Sequence, residues 1–197
     1  MVSLHNIHII GLFYMDRHGG YKPNPEAFVY YIRRHKLKAR RLFFFGNRLI
    51  DMELADAVKG VLHCEVFKCL IIRGEGSNKS ADLVVHNLKE AAAAINKYRP
   101  DIVFSDFDNT LAFTGYEFVE EAAETMRFWE RHGKNKLLRM INNILSLMVS
   151  PFINRRPFTG KNDDTALFLK TLKYPLIIHS MSPEPAIKSF LRRIFIN

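Results

Sequence analysis

Short, wholly apolar segments recur along this chain, and helix-like patterns separate them. Residues 41–45 (RLFFF) are apolar after Arg41, with no alternation of inward and outward residues. A strand of that kind must be covered on both faces. Further segments of strand type are 6–14 (NIHIIGLFY), 66–73 (VFKCLIIR), 82–85, 101–110 (DIVFSDFDNT) and 175–180 (PLIIHS). Between them lie helix patterns. AFVYYIRRHKL follows Pro25, which suits a first helical turn because its missing N–H costs little there. DMELADAVKG ends on Gly60, a plausible stop. An alanine-rich run continues to residue 98 and is ended by Pro100. TALFLKTLK precedes the last strand, and Ser182 is placed to cap a final helix, PAIKSFLRRIF. Strands alternating with helices predict an α/β fold, with a parallel sheet between two helical layers.

Hydrophobic residues make up 48% of the 197, enough for a buried core, which excludes a disordered chain. No apolar run is long enough for a transmembrane helix. The start, MVSLHNIHIIGLF, lacks a basic n-region and a small-residue cleavage site, so no signal peptide is expected. Cys64 and Cys69 alone cannot form a zinc site, and they read as half-buried thiols in a reducing cytoplasm. The net charge of +9 favours an anionic partner. It is concentrated in RRHKLKARR (33–41) and RFWERHGKNKLLR (127–139). No recognition motif accompanies these stretches, so nucleic acid is the minor alternative to a small phosphorylated substrate.

In a parallel α/β sheet, chemistry gathers at the carboxyl ends of the strands. Four polar tips fall there: Lys22, Asn47 with Asp51, Asp106 with Asp108, and Ser180. The pair Asp106 and Asp108 is the sharpest of them. Two carboxylates two residues apart leave the strand together. One can attack phosphorus to form an aspartyl phosphate. The other can exchange a proton with the leaving group and then with water. Carboxylates gathered in a partly dry site call for a cation, and Mg²⁺ fits as a hard, oxygen-loving ion.

The segment VFSDFDNTLA resembles the first motif of the haloacid dehalogenase (HAD) superfamily. LIIHSMSPE resembles the second motif, GGYKPNPEAF the third and LFFFGNRLIDMELADAVKG the fourth. ADLVVHNLKEAAAAI looks like the family's last strand and helix. The resemblance implies a Mg²⁺-dependent phosphatase acting on phosphate monoesters, on a HAD-like, Rossmann-like three-layer α/β/α sandwich. It implies Asp106 as nucleophile, Asp108 as general acid and base, Ser180 as phosphoryl-binding hydroxyl and Lys22 as the orienting cation. The metal set it implies is Asp106, Asp108 through its main-chain carbonyl, Asp51 and Asn47. Asn109, Thr110 and Met181 are the implied substrate-binding neighbours. Where the family's fourth motif usually offers two acids, the first here is Asn47, which removes a negative charge and weakens the expected metal site.

The motif order also departs from the family. It runs third, fourth, first, second. The strand set is complete, so the order reads as a circular permutation, in which joining residue 197 to residue 1 restores the usual connection. Exchange of strands in a homodimer is the alternative, and a fusion of two truncated domains is the weaker one. The resemblance implies a core of 1–112 and 171–197, with a small helical cap at 113–170. The stretch LLRMINNILSLMVSPFINRR within that insertion reads as cap packing, with a lipid- or partner-facing helix as the alternative. A second function from another class also stands, a binding or scaffold protein that keeps the fold without turnover.

Overall fold

A computed structural model describes residues 6–11, 15, 17–19, 21–72, 80–112, 162–180, 182 and 184–196. The chain divides into two compact units, 1–113 with 161–197, and 114–160. The expected cap, the second basic stretch and Met181 lie outside the described residues, apart from the end of the cap at 162–170.

The first unit contains β1 (Ile7–Ile10), α1 (Glu26–Arg34), β2 (Arg41–Gly46), α2 (Leu49–Leu62), β3 (Glu65–Ile71) and β4 (Leu83–Val85). It continues with α3 (Leu88–Tyr98), β5 (Ile102–Ser105), α4 (Asn162–Thr171), β6 (Leu176–His179) and α5 (Glu184–Ile196). The six strands form one sheet in the order β1-β6-β5-β2-β3-β4. Every pairing is parallel, with Ile7 beside Leu176, Val103 beside Leu176, Phe43 beside Val103 and Cys69 beside Leu83. One chain supplies all six strands.

The three consecutive phenylalanines of β2 show why the sheet needs two helical layers. Phe43, Phe44 and Phe45 are all fully buried. Phe44 faces α1, stacking on Phe104 of β5 at 4.3 Å between centroids and meeting Phe28 of α1 at 5.5 Å. Phe43 and Phe45 face the other way. Phe43 meets Phe67 and Tyr98, the last residue of α3, while Phe45 meets Phe168 of α4. Alternate side chains of a strand leave by opposite faces, so an unbroken apolar run fills two cores at once. Replacing Phe104 by Ala should cost about 3–5 kcal/mol, because its neighbours cannot collapse into the space. Urea denaturation measures this, and a loss below about 1 kcal/mol would contradict the packing.

One element end and the grouping of one helix differ from expectation. Gly60 lies inside α2, which runs on to Leu62. The left-handed cap is His63 (φ 50), whose N–H reaches the Lys59 carbonyl. Gly60 therefore marks no stop. The helix 162–171, counted mostly with the insertion in the sequence, groups with the sheet. The buried Thr165 hydroxyl donates to the Leu111 carbonyl at 2.7 Å, and Phe168 packs on Phe45. For α3 the expected stop before Pro100 holds. Asn87 caps it by accepting from the Glu90 N–H, and Arg99 ends it in the left-handed region just before Pro100.

Candidate functional site

The order in which strands are added reverses about the middle of this sheet. From β5 the chain moves toward β6 on one side, while β2, β3 and β4 lie on the other. Ligands of doubly wound sheets bind beyond the carboxyl ends at such a switch point. Asp106 follows β5, and Asp51 follows β2 in the first turn of α2.

The Asp106 N–H donates to the Phe45 carbonyl at 2.9 Å, carrying the β5–β2 ladder one residue past the strand. Phe107 then turns inward against Phe190 of α5, at 1% exposure. With Phe107 anchored, the residues on either side leave by the opposite face. A tight turn closes behind them. The Phe107 carbonyl accepts from Leu111 and Ala112, and Asn109 adopts φ 57 while its N–H donates to the Ala112 carbonyl.

Lys22 reaches the same place from the loop before α1. Asn24 holds that loop. Its amide donates to the Gly19 carbonyl at 2.8 Å, and its side-chain oxygen accepts the Glu26 N–H at 2.9 Å. The Lys22 ammonium donates to Asp51 Oδ1 at 2.7 Å and to Asp106 Oδ1. It also lies over the Phe104 ring, 5.7 Å from its centroid. The second oxygen of Asp106 accepts from the Thr110 hydroxyl at 3.2 Å, and that of Asp51 from the Arg48 N–H at 3.2 Å. Lys22, Asp51 and Asp106 are 5%, 1% and 8% exposed.

One ammonium thus serves two buried carboxylates. Burial lowers its pKa, but the charges of Asp106 and Asp51 outweigh that and hold it above the usual lysine value. Asp106 bears the imbalance. Burial, opposed by Lys22 and reinforced by the carboxylates of Asp51 and Asp108, pushes it up to about 7.

A second cluster adjoins the first. Ser180 donates to Asp108 Oδ2 at 2.9 Å. The Ser182 hydroxyl reaches both Asp108 oxygens, at 3.0 and 2.8 Å, and the Ser182 N–H donates to Ser180 Oγ at 2.9 Å. Ser180 is held in turn by its N–H, which donates to the Ile10 carbonyl at the end of β1.

Of the residues read as a site, Lys22, Asp51, Asp106, Asp108, Thr110 and Ser180 therefore form two abutting clusters. Thr110 is fully buried, and its hydroxyl is directed at Asp106. Asn47 follows β2, and its Oδ1 is buried with no hydrogen-bond partner among the described residues. Among those residues no three His, Cys, Asp or Glu side chains gather as a ready cation site. The oxygen donors brought together on Lys22 are the carboxylates of Asp51 and Asp106. They fit Mg²⁺, which is usually held by one or two carboxylates with phosphate oxygens and water completing its shell.

Two glycines and a serine were not legible as site residues. A Cβ at Gly46 would sit 2.4 Å from Asp51 Oδ2 and 2.6 Å from its Cβ and Cγ. A Cβ at Gly11 would sit 2.9 Å from the Glu184 nitrogen and 3.1 Å from the Ser182 carbonyl. Gly46 ends β2 and Gly11 directly follows β1, each where another part of the chain crosses closely. Ser182, placed before α5 as a cap would be, directs its hydroxyl to Asp108. Gly46→Ala should push Asp51 off Lys22 and cost about 1–3 kcal/mol, read by urea denaturation. An unchanged midpoint would show that the crossing tolerates a methyl group.

The basic stretch 33–41 spans the end of α1 and the start of β2, at the amino ends of the strands and so at the opposite edge from the site. No helix of the described residues is long and apolar enough to cross a membrane. In comparison with known proteins, the chain matches no family model, no curated protein and no solved structure.

Proposed function

We propose that this protein is a Mg²⁺-dependent phosphohydrolase of the haloacid dehalogenase type, carried on a circularly permuted chain. The observation that carries the reading is Lys22 bridging the buried carboxylates of Asp51 and Asp106 at the switch point. The sheet order supports the permutation. Counted from β5 as the first strand, β1-β6-β5-β2-β3-β4 reads third, second, first, fourth, fifth, sixth. That is the order of a doubly wound nucleotide-binding sheet.

In this reading Asp106 attacks phosphorus in line with the leaving oxygen. The bond from phosphorus to that oxygen breaks, and Asp108 gives the oxygen its proton. Water then attacks the aspartyl phosphate and returns a proton to Asp108. The bond from phosphorus to Asp106 breaks, and inorganic phosphate leaves. Lys22 and Thr110 fix the two oxygens of Asp106 beforehand, so little reorganisation remains for the attack. Lys22 and Ser180 neutralise and hold the phosphoryl oxygens. Asp51, Asp106, the Asp108 carbonyl and Asn47 would hold Mg²⁺, which supplies charge neutralisation for the transferring group.

The test is phosphate release from p-nitrophenyl phosphate and a panel of phosphorylated sugars, nucleotides and alkyl phosphates, with Mg²⁺ and with chelator. Release that requires Mg²⁺ is expected from at least one ester. No metal-dependent release from any of them would overturn the reading. It would favour a phosphate-binding protein without turnover, the alternative that the uncharged Asn47 suggests. Mg²⁺ titration by calorimetry would then show whether Asp51 and Asn47 bind the ion.

A further inference from the structure

We infer that Ser182 is a positioning residue for the proton-transfer step, holding Asp108 while Ser180 is engaged by substrate. This rests on the phosphohydrolase reading and adds a residue to it. A serine hydroxyl has one proton to donate. In the structure Ser180 directs its proton to Asp108 Oδ2, at 2.9 Å. To bind a phosphoryl oxygen it must turn that proton away, and Asp108 then loses the contact at the step where its orientation matters.

Ser182 remains. It is 7% exposed, and its hydroxyl lies 3.0 and 2.8 Å from the two oxygens of Asp108. Its N–H stays on Ser180 Oγ, using a lone pair and leaving the Ser180 proton free to turn. A protonated carboxyl has one O–H to give and one oxygen that still accepts. With Ser182 donating to the accepting oxygen, the O–H is directed at the leaving group. Gly11 makes the arrangement possible, since a side chain there would meet the Ser182 carbonyl and the Glu184 nitrogen.

A residue that orients a general acid matters in proportion to how much the leaving group needs a proton. A nitrophenolate leaves well without one, whereas an alkoxide does not. Ser182→Ala should therefore lower kcat/KM for an alkyl phosphate by about tenfold or more, and for p-nitrophenyl phosphate by less than about twofold. Ser182→Thr should restore the alkyl rate. A merely structural role would lower both rates together. Melting temperatures accompany the kinetics. If the alanine variant melts early, Ser182→Cys, with its weaker donor at similar volume, should give an intermediate ratio of the two rates. Equal losses on both esters, or none on either, overturn the inference while wild-type turnover and its loss in Asp106→Asn keep the enzyme reading intact. A wild type inactive on every ester overturns both.

Discussion

Asp106→Asn is expected to abolish metal-dependent phosphate release, by at least about a thousandfold, while leaving the protein folded. The amide has no oxygen nucleophilic enough to form the acyl phosphate. It still accepts from Lys22 through its oxygen, and it fills nearly the same volume. Stability should change in a way that reports the buried charge. Asp106 is pushed from 3.8 up to about 7, chiefly by burial. The native state therefore keeps a proton that the unfolded chain releases. That contribution to stability is full below 3.8 and is lost as pH rises through about 7. The asparagine variant carries no such proton, so its metal-free melting temperature should vary less over this range. Wild-type turnover in the variant would remove Asp106 from the chemistry. An unaltered pH profile of melting would remove the charge argument.

Lys22→Met should lower both stability and turnover. It leaves Asp51 and Asp106 facing each other, buried at 1% and 8% exposure, without their shared cation. Removing one member of a buried charged group typically costs about 3–5 kcal/mol, because the partners stay desolvated. Some of that cost is relieved when Asp106 takes up a proton. The urea midpoint measures the loss. Adding Mg²⁺ should raise the midpoint of the methionine variant more than that of wild type, since the ion replaces a cation the variant lacks. Equal midpoints for the two proteins without metal would mean that the lysine is dispensable to the fold. Turnover should fall as well, because the ammonium also neutralises the phosphoryl oxygens.

The parallel sheet and its two helical layers were legible because apolar runs such as 41–45 admit only a doubly covered strand. The polar tips were legible for a related reason, since charged residues directly after buried strands stand out against them. Their partnerships were less accessible. Lys22 meets Asp106 across 84 residues, and nothing local to either fixes that pairing. Ser182 was read from its place before a helix, which is where serines usually cap. Its hydroxyl reaches Asp108, 74 residues away in sequence, which no local pattern signals. Gly46 and Gly11 carried no signal, because a missing Cβ matters only once the crossing element is known. Gly60 misled for the opposite reason. It resembles a stop, but α2 continues through it and His63 takes the left-handed turn.

The strand order bears on how the protein is made. β1 pairs with β6, placing Ile7 beside Leu176. On the ribosome, β2, β3 and β4 emerge consecutively and lie side by side in the sheet, so they can associate as they appear. β1 cannot join them, because β5 and β6 must come between. The middle of the sheet is thus synthesised after both flanks. β1 waits for its neighbour until β6 has been made, exposed meanwhile to mispairing with other nascent chains.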